Sequence, residues 1–196
     1  MGRKSHYILP DNLKLSDKIF INTLRCGGYA TREQILHYIT GNRLRNYCNE
    51  KIISKNWVVI NNKPQSVYCF TENGKEWVRN NIPELSDRKF YSSTGINHDL
   101  KLFEHIQSYT DKLSYEEQLK FRTESENRDL FKELCKEMEQ GQYYLEQLHE
   151  HNISIPDFSY ENEYVEAITN NYGDLVIQSK FDSMAVLGGS LTIIKS

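Results

Sequence analysis

The sequence predicts an α+β chain in two parts: a front unit of three short helices and a β-hairpin, and a back α/β unit with a small mixed central sheet. Three observations carry this expectation. Apolar residues recur at helical spacing in three short segments before residue 54, and a β-branched and aromatic hairpin pattern follows them. Near the end of the chain, two β-rich runs joined by a tight polar turn precede a helix and a last strand. Charge divides the chain at the same place. Residues 1–92 hold 15 Lys and Arg against 8 Asp and Glu, net +7, whereas residues 93–196 hold 9 against 19, net −10.

Taken in order, the first helix is expected over 16–25, with Asp17 in its first turn. Ile19, Phe20, Thr23 and Leu24 share one face, and Gly27-Gly28 forms the stop. Thr31 caps a second helix with Gln34 as its capping-box partner, and Ile35, Leu36 and Ile39 point inward. Thr40-Gly41-Asn42 makes the turn into a third helix over 43–53, patterned by Leu44, Tyr47, Cys48 and Ile52. Strands at 57–60 and 66–70 flank the turn Asn61-Asn62-Lys63-Pro64, and Thr71 opens a helix that closes before Pro83. Helices, hairpin, then helix is the order of a winged helix-turn-helix. Residues 1–83 form this unit and 84–95, rich in Ser, Asp, Lys and Arg, read as a linker.

The back unit spans 96–196. Asn97 opens a helix carrying Leu100, Phe103, Ile106 and Tyr109, and a strand is expected over 119–125. A charged helix follows over 128–149, with Gly141 as a point of interruption. Its stripe of Leu130, Leu134, Met138, Leu145 and Leu148 faces either the core or a second copy of the chain. Strands at 153–160 and 163–169 flank Glu161-Asn162; a helix over 173–187, the stop Gly188-Gly189 and a strand at 191–194 complete the unit.

Composition narrows the functional classes. With 38% hydrophobic and 26% charged residues the chain is expected to be a cytoplasmic globular protein, without a signal peptide or membrane span. Cys26, Cys48, Cys69 and Cys135 are scattered and read as free thiols. Phosphate-loop, dinucleotide-binding and nucleophile-elbow patterns are absent from the sequence. His149 and His151 lack the further Cys or His that a zinc site requires.

In a helix-turn-helix the third helix enters the major groove. Asn42, Arg43, Arg45, Asn46 and Asn49 lie off its apolar face, and these are residue types that bind purine edges bidentately. Lys51, Lys55 and the wing-tip Lys63 are placed to neutralise phosphates. Double-stranded DNA is therefore the expected partner, although the same residues also fit a merely solvated face.

Two stretches of the back unit carry a family resemblance: Asn97-His98-Asp99-Leu100, opening a helix, and Ile155-Pro156-Asp157-Phe158, with Glu166 nine residues after Asp157. Behind a winged helix, this arrangement resembles the replication-relaxation proteins of plasmids and integrative mobile elements. The back half of that family is in turn similar to the PD-(D/E)XK nuclease fold. The resemblance implies that Asp157 and Glu166 hold Mg²⁺ or Mn²⁺, with Glu124 or Glu104 as a third carboxylate. It also implies a Lys two residues after Glu166, where this chain has Ile168. Lys180 on the next helix is the available substitute, and Gln178 is similar to a helix glutamine of such nucleases. Losing that lysine implies an inactive nuclease-like unit used for dimerisation or for contacts with replication or transfer proteins. His98 matches the family's helix-opening histidine, or is structural.

Overall fold

A computed structural model describes residues 8–60, 62–92, 95–168 and 173–195. The first helix, α1 (Leu15–Gly27), begins where the Asp17 carboxylate accepts the Lys14 N–H at 2.9 Å. It ends at Gly28, whose φ of 77° is left-handed backbone that glycine adopts without strain. A two-residue strand β1 (Ala30–Thr31) leads into α2 (Arg32–Leu36), capped by the Thr31 hydroxyl and the Gln34 side chain as the capping-box pattern predicts. The helix α3 (Gly41–Asn49) follows, capped by Thr40, and is shorter than expected. It stops at Asn49 because Lys51 takes a left-handed φ of 58°, and the chain is already extended at Ile53.

The hairpin is correspondingly longer than its sequence pattern. Strands β2 (Ile53–Ile60) and β3 (Lys63–Phe70) pair antiparallel through eight positions, from Ile53 opposite Phe70 to Ile60 opposite Lys63. With β1 on the other side of β3 they make a three-stranded sheet of order β1-β3-β2. Thr71 caps α4 (Glu72–Asn81) through the Gly74 N–H. The front half is thus winged-helix-like. Its core gathers Phe20, Ile21, Leu24, Ala30, Ile35, Leu44, Tyr47, Ile53, Phe70 and Val78 from every element.

The back half contains α5 (Ile96–Thr110), α6 (Tyr115–Gln118), β4 (Arg122–Thr123), α7 (Glu124–Glu137), α8 (Gly141–His149), β5 (Phe158–Tyr160), β6 (Glu163–Ile168), α9 (Asp174–Leu187) and β7 (Ser190–Lys195). Instead of a strand over 119–125 there is a helical turn, a two-residue strand, and the start of α7 at Glu124. Two capping boxes cause the difference. Ser114 with Glu117, and Thr123 with Glu126, each bind the other's backbone N–H, so that one helix runs up to the expected strand and another starts inside it. The strand expected at 153–160 is reduced to three residues because 154 and 155 bond to α9, not to a neighbouring strand: Ser154 N donates to Ser179 O, and Lys180 Nζ donates to Ile155 O.

The second sheet has the order β4-β5-β6-β7, antiparallel except for the parallel β6–β7 pair that α9 connects. It is therefore mixed. One face is covered by Leu102 and Ile106 of α5, packed with Phe121, Phe158, Val165 and Ala167. The other is covered by Phe131, Cys135, Val186 and Leu187 of α7 and α9, packed on Tyr164. Burial on both faces explains why β6 is apolar over most of its length, with Glu163 exposed at its start and Glu166 the buried exception. Leu130, Leu134, Met138, Leu145 and Leu148 all join this second layer, so the stripe faces the core.

The two halves meet along α1 and α5. Phe103 of α5 lies in the front core, and Cys26 of α1 lies in the back one. Residues 84–92, expected as linker, are packed as well: Leu85 is in the front core, Tyr91 is in the back core, and Tyr91 N donates to Arg25 O at 2.8 Å. Arg25 is fully buried at this junction. Its guanidinium donates to Asn22 Oδ1, Lys89 O, Phe121 O and Glu126 Oε2 at 2.7–3.0 Å. All four cysteines are free.

Candidate nucleic-acid interface and buried carboxylate cluster

The helix α3 buries Leu44 and Tyr47, which leaves Asn42, Arg45 and Asn49 exposed together at helical spacing. Asn46 is half-buried. Arg43 is differently employed. Its Nε is 2.8 Å from Asp17 Oδ1, and its other guanidinium nitrogen reaches Asp17 Oδ2 at 3.0 Å and Asn12 O at 3.1 Å. Asp17 is buried and also accepts the Tyr47 hydroxyl at 3.0 Å. Arg43 thus anchors α3 to α1 instead of reaching outward. Burial pushes the Tyr47 phenol far up, and the Asp17 charge adds to the shift, so it stays a neutral donor.

Lys51, Lys55 and Lys63 are exposed on the wing side. Alternation along β2 also puts Trp57 and Val59 on the same outward face as Lys55. Trp57 is 70% exposed, with the Lys55 ammonium 4.6 Å from its ring centroid. This aromatic was not among the residues picked from sequence, because a Trp in a strand reads as core until the sheet's covered face is known.

In the back half, the structure gathers four charged side chains from distant positions. His98 enters from the start of α5, Asp157 precedes β5, Glu166 sits on β6, and Lys180 lies on α9. Their exposures are 2%, 2%, 0% and 7%. His98 Nε2 is 3.0 Å from Asp157 Oδ2, and His98 Nδ1 is 3.2 Å from Asp99 Oδ1. Asp157 Oδ2 also accepts the Ala167 N–H at 2.9 Å, and Asp157 Oδ1 accepts the Tyr91 hydroxyl at 3.2 Å. Lys180 Nζ stands 2.8 Å from Glu166 Oε2 and donates to Ile155 O at 2.7 Å. The Lys180–Glu166 contact is an ion pair by distance without hydrogen-bond alignment, so both Glu166 oxygens lack a hydrogen-bond donor among the described residues.

The electrostatics follow from that crowding. Burial alone would depress the His98 pKa, but hydrogen bonds and charges from Asp157 and Asp99 raise it to about 10. Burial alone would raise Asp157. The His98 hydrogen bond, the Lys180 and His98 charges and the Ala167 N–H together hold it below the usual carboxylate range. Glu166 goes the other way: burial and the Asp157 charge push it up to about 8 against the pull of Lys180. At neutral pH the cluster therefore holds an ionised Asp157 and a cationic His98, and the Glu166 carboxyl is the member most readily protonated.

Asp157, Glu166 and Lys180 thus converge as the spacing argument requires, and Lys180 does point back over the sheet. The other candidates do not converge with them. Glu124, the first residue of α7, bonds Arg128, and Glu104 on α5 bonds Lys101. Gln178 is exposed and bonds Asp182. Ile168 is buried beyond Glu166, and His149 and His151 are exposed. The positions of His98 and Tyr91 beside Asp157 had no signal in sequence spacing, since 59 and 66 residues separate them from it.

No protein-family model matches the chain, and no curated protein matches it. Among solved structures, the crystal structure of Bacillus subtilis PadR in complex with operator DNA is similar at a TM-score of 0.24 and 13% identity, over 87% of this chain and 92% of that one. A superposition of that quality does not establish a shared fold. Among the described residues, no helix is long and apolar enough to cross a membrane.

Proposed function

We propose that this protein binds double-stranded DNA in a sequence-dependent way through α3 and the β2–β3 wing, as an accessory factor in the replication, relaxation or conjugative transfer of a mobile element. The observation that carries the DNA reading is the joint exposure of Asn42, Arg45 and Asn49 on α3, with Lys51, Lys55 and Lys63 along the wing. Arg45 and the two Asn supply base-edge contacts, and the lysines supply phosphate contacts. The mobile-element role rests on the resemblance of Asn97–Leu100 and Ile155–Phe158, with Glu166, to the replication-relaxation proteins. In this reading the net −10 back half, which repels a duplex, serves homodimerisation or contacts with replication or transfer proteins.

The test is duplex binding by fluorescence anisotropy across a salt series. Arg45→Ala is expected to weaken binding at least tenfold on the preferred site. Lys63→Ala is expected to lower the salt slope by about one without changing site preference. Binding that neither change affects would move the DNA surface elsewhere. Footprinting on origin and promoter regions separates an accessory factor from a transcriptional regulator.

The convergence of Asp157, Glu166 and Lys180 favours one second reading, a metal-dependent endonuclease. Mg²⁺ or Mn²⁺ on the two carboxylates would polarise a phosphate, with Lys180 beside the attacking water. Their burial opposes it, since a phosphodiester has no path to groups at 2%, 0% and 7% exposure. Plasmid cleavage with Mg²⁺ or Mn²⁺ that Asp157→Asn abolishes would establish the enzyme.

A further inference from the structure

We propose that His98, Asp157 and Glu166 form an internal binding site for one divalent first-row transition ion, with the His98 imidazole selecting that class over Mg²⁺. The three side chains offer one nitrogen and two carboxylate ligand atoms, all within 4.8 Å of one another. An ion at ~2.1 Å from each donor spaces cis ligands by about 3.0 Å and trans ligands by about 4.2 Å. The 3.0 Å separation of His98 Nε2 and Asp157 Oδ2 matches the first value.

The second observation is independent of the spacing. Glu166 is 0% exposed on β6; Oε2 has only the Lys180 ammonium at 2.8 Å, and among the described residues neither oxygen accepts an aligned hydrogen bond. Unsatisfied buried carboxylate oxygens are costly. A cation between Glu166 and Asp157 satisfies them.

Both remaining features of a built metal site are present. His98 Nδ1 is held by Asp99 Oδ1 at 3.2 Å, the carboxylate–imidazole arrangement that fixes the ring with Nε2 toward an ion. Asp157 is oriented by the Ala167 N–H and the Tyr91 hydroxyl. Nitrogen in the donor set is what separates this site from an all-oxygen magnesium site, because imidazole favours the later divalent ions. On binding, the ion takes the place of the proton between His98 Nε2 and Asp157 Oδ2, and that proton leaves to solvent together with any proton held by the Glu166 carboxyl. Lys180 stays as the counter-charge beside Glu166. The site does not depend on the DNA reading, and Glu124 has no part in it.

The test is metal binding by the whole chain, stripped with chelator and titrated separately with Mn²⁺, Zn²⁺ and Mg²⁺ by calorimetry and thermal unfolding. Expected are one Mn²⁺ or Zn²⁺ per chain, a raised unfolding midpoint, and at least tenfold weaker Mg²⁺ binding. His98→Gln is expected to remove the preference over Mg²⁺, Asp157→Asn to remove binding, and Glu124→Ala to change neither. Because buried variants can misfold, pulsed EPR of Mn²⁺ bound to the unaltered chain supplies a second readout, namely a directly coordinated histidine nitrogen. Absence of Mn²⁺ and Zn²⁺ binding, equal affinity for Mg²⁺, or bound Mn²⁺ without nitrogen coupling would each overturn the site.

Discussion

Arg25→Met removes a fully buried guanidinium that ties the two halves together, and its cost can be worked from the contacts. Four donor interactions disappear, to Asn22, Lys89, Phe121 and Glu126. Breaking a buried ion pair on one side costs ~3–5 kcal/mol. The low end applies because Glu126 keeps Arg88 at 3.1 Å and the Thr123 N–H at 2.8 Å, and the Phe121 carbonyl keeps Arg88. Methionine also fills most of the arginine stem's volume. The expected loss is therefore about 3 kcal/mol, and with a urea m-value of about 2 kcal/mol/M the midpoint falls by roughly 1.5 M. Both tryptophans, Trp57 and Trp77, lie in the front half, so fluorescence reports that half while far-UV circular dichroism reports the whole chain. In the unaltered protein the two transitions are expected to coincide, because α1 contributes to both cores. A midpoint change under about 0.5 M, or separate transitions before any substitution, would refute the argument.

Three further outcomes are expected. Arg43→Ala strips buried Asp17 of its ion-pair partner and lowers stability by about 3 kcal/mol, whereas Arg45→Ala leaves it within about 0.5 kcal/mol; thermal unfolding of the pair tells them apart. Gly74→Ala would place a Cβ 1.9 Å from the Ile52 carbonyl, so the start of α4 must shift away from Ile52; a loss of about 1–3 kcal/mol is expected in urea, and an unchanged midpoint would contradict the packing. Acid sensitivity is set in part by Glu126, for which burial alone would raise the pKa but the Arg25 and Arg88 charges hold it below the ordinary 4.5. Its folded pKa is depressed, so its contribution is present above 4.5 and is lost as pH falls through the lower value. Urea midpoints measured from pH 6 down to 3 should fall, and Glu126→Gln should start lower and fall less.

Local signals in the sequence were read well where the chemistry is local. The Thr31–Gln34 box, the Thr71 cap and the Gly28 stop are contacts within four residues, and each appears where its residues place it. The reading failed where two local signals competed. Over 119–125 the β-like run lost to the capping boxes of Ser114 and Thr123, which give helix starts a satisfied backbone donor at each end. For the buried cluster, the Asp157–Glu166 spacing was legible because the two residues lie on adjacent extended segments joined by a tight turn. His98 beside Asp157 was not, because that contact depends on how α5 crosses the sheet. Arg43 shows the same limit: helical spacing gives a side chain's direction from the axis, not whether a buried Asp waits there.

The sharing of α1 bears on how such a chain can be reassembled. Phe20, Ile21 and Leu24 of this helix serve the front core, Cys26 serves the back one, and Arg25 stitches the seam. A recombination joint placed after residue 83 would cut through packed side chains and orphan a buried guanidinium. Grafting the front half onto another body therefore requires α5 to travel with it, whereas changes at the exposed Asn42, Arg45 and Asn49 leave this packing in place.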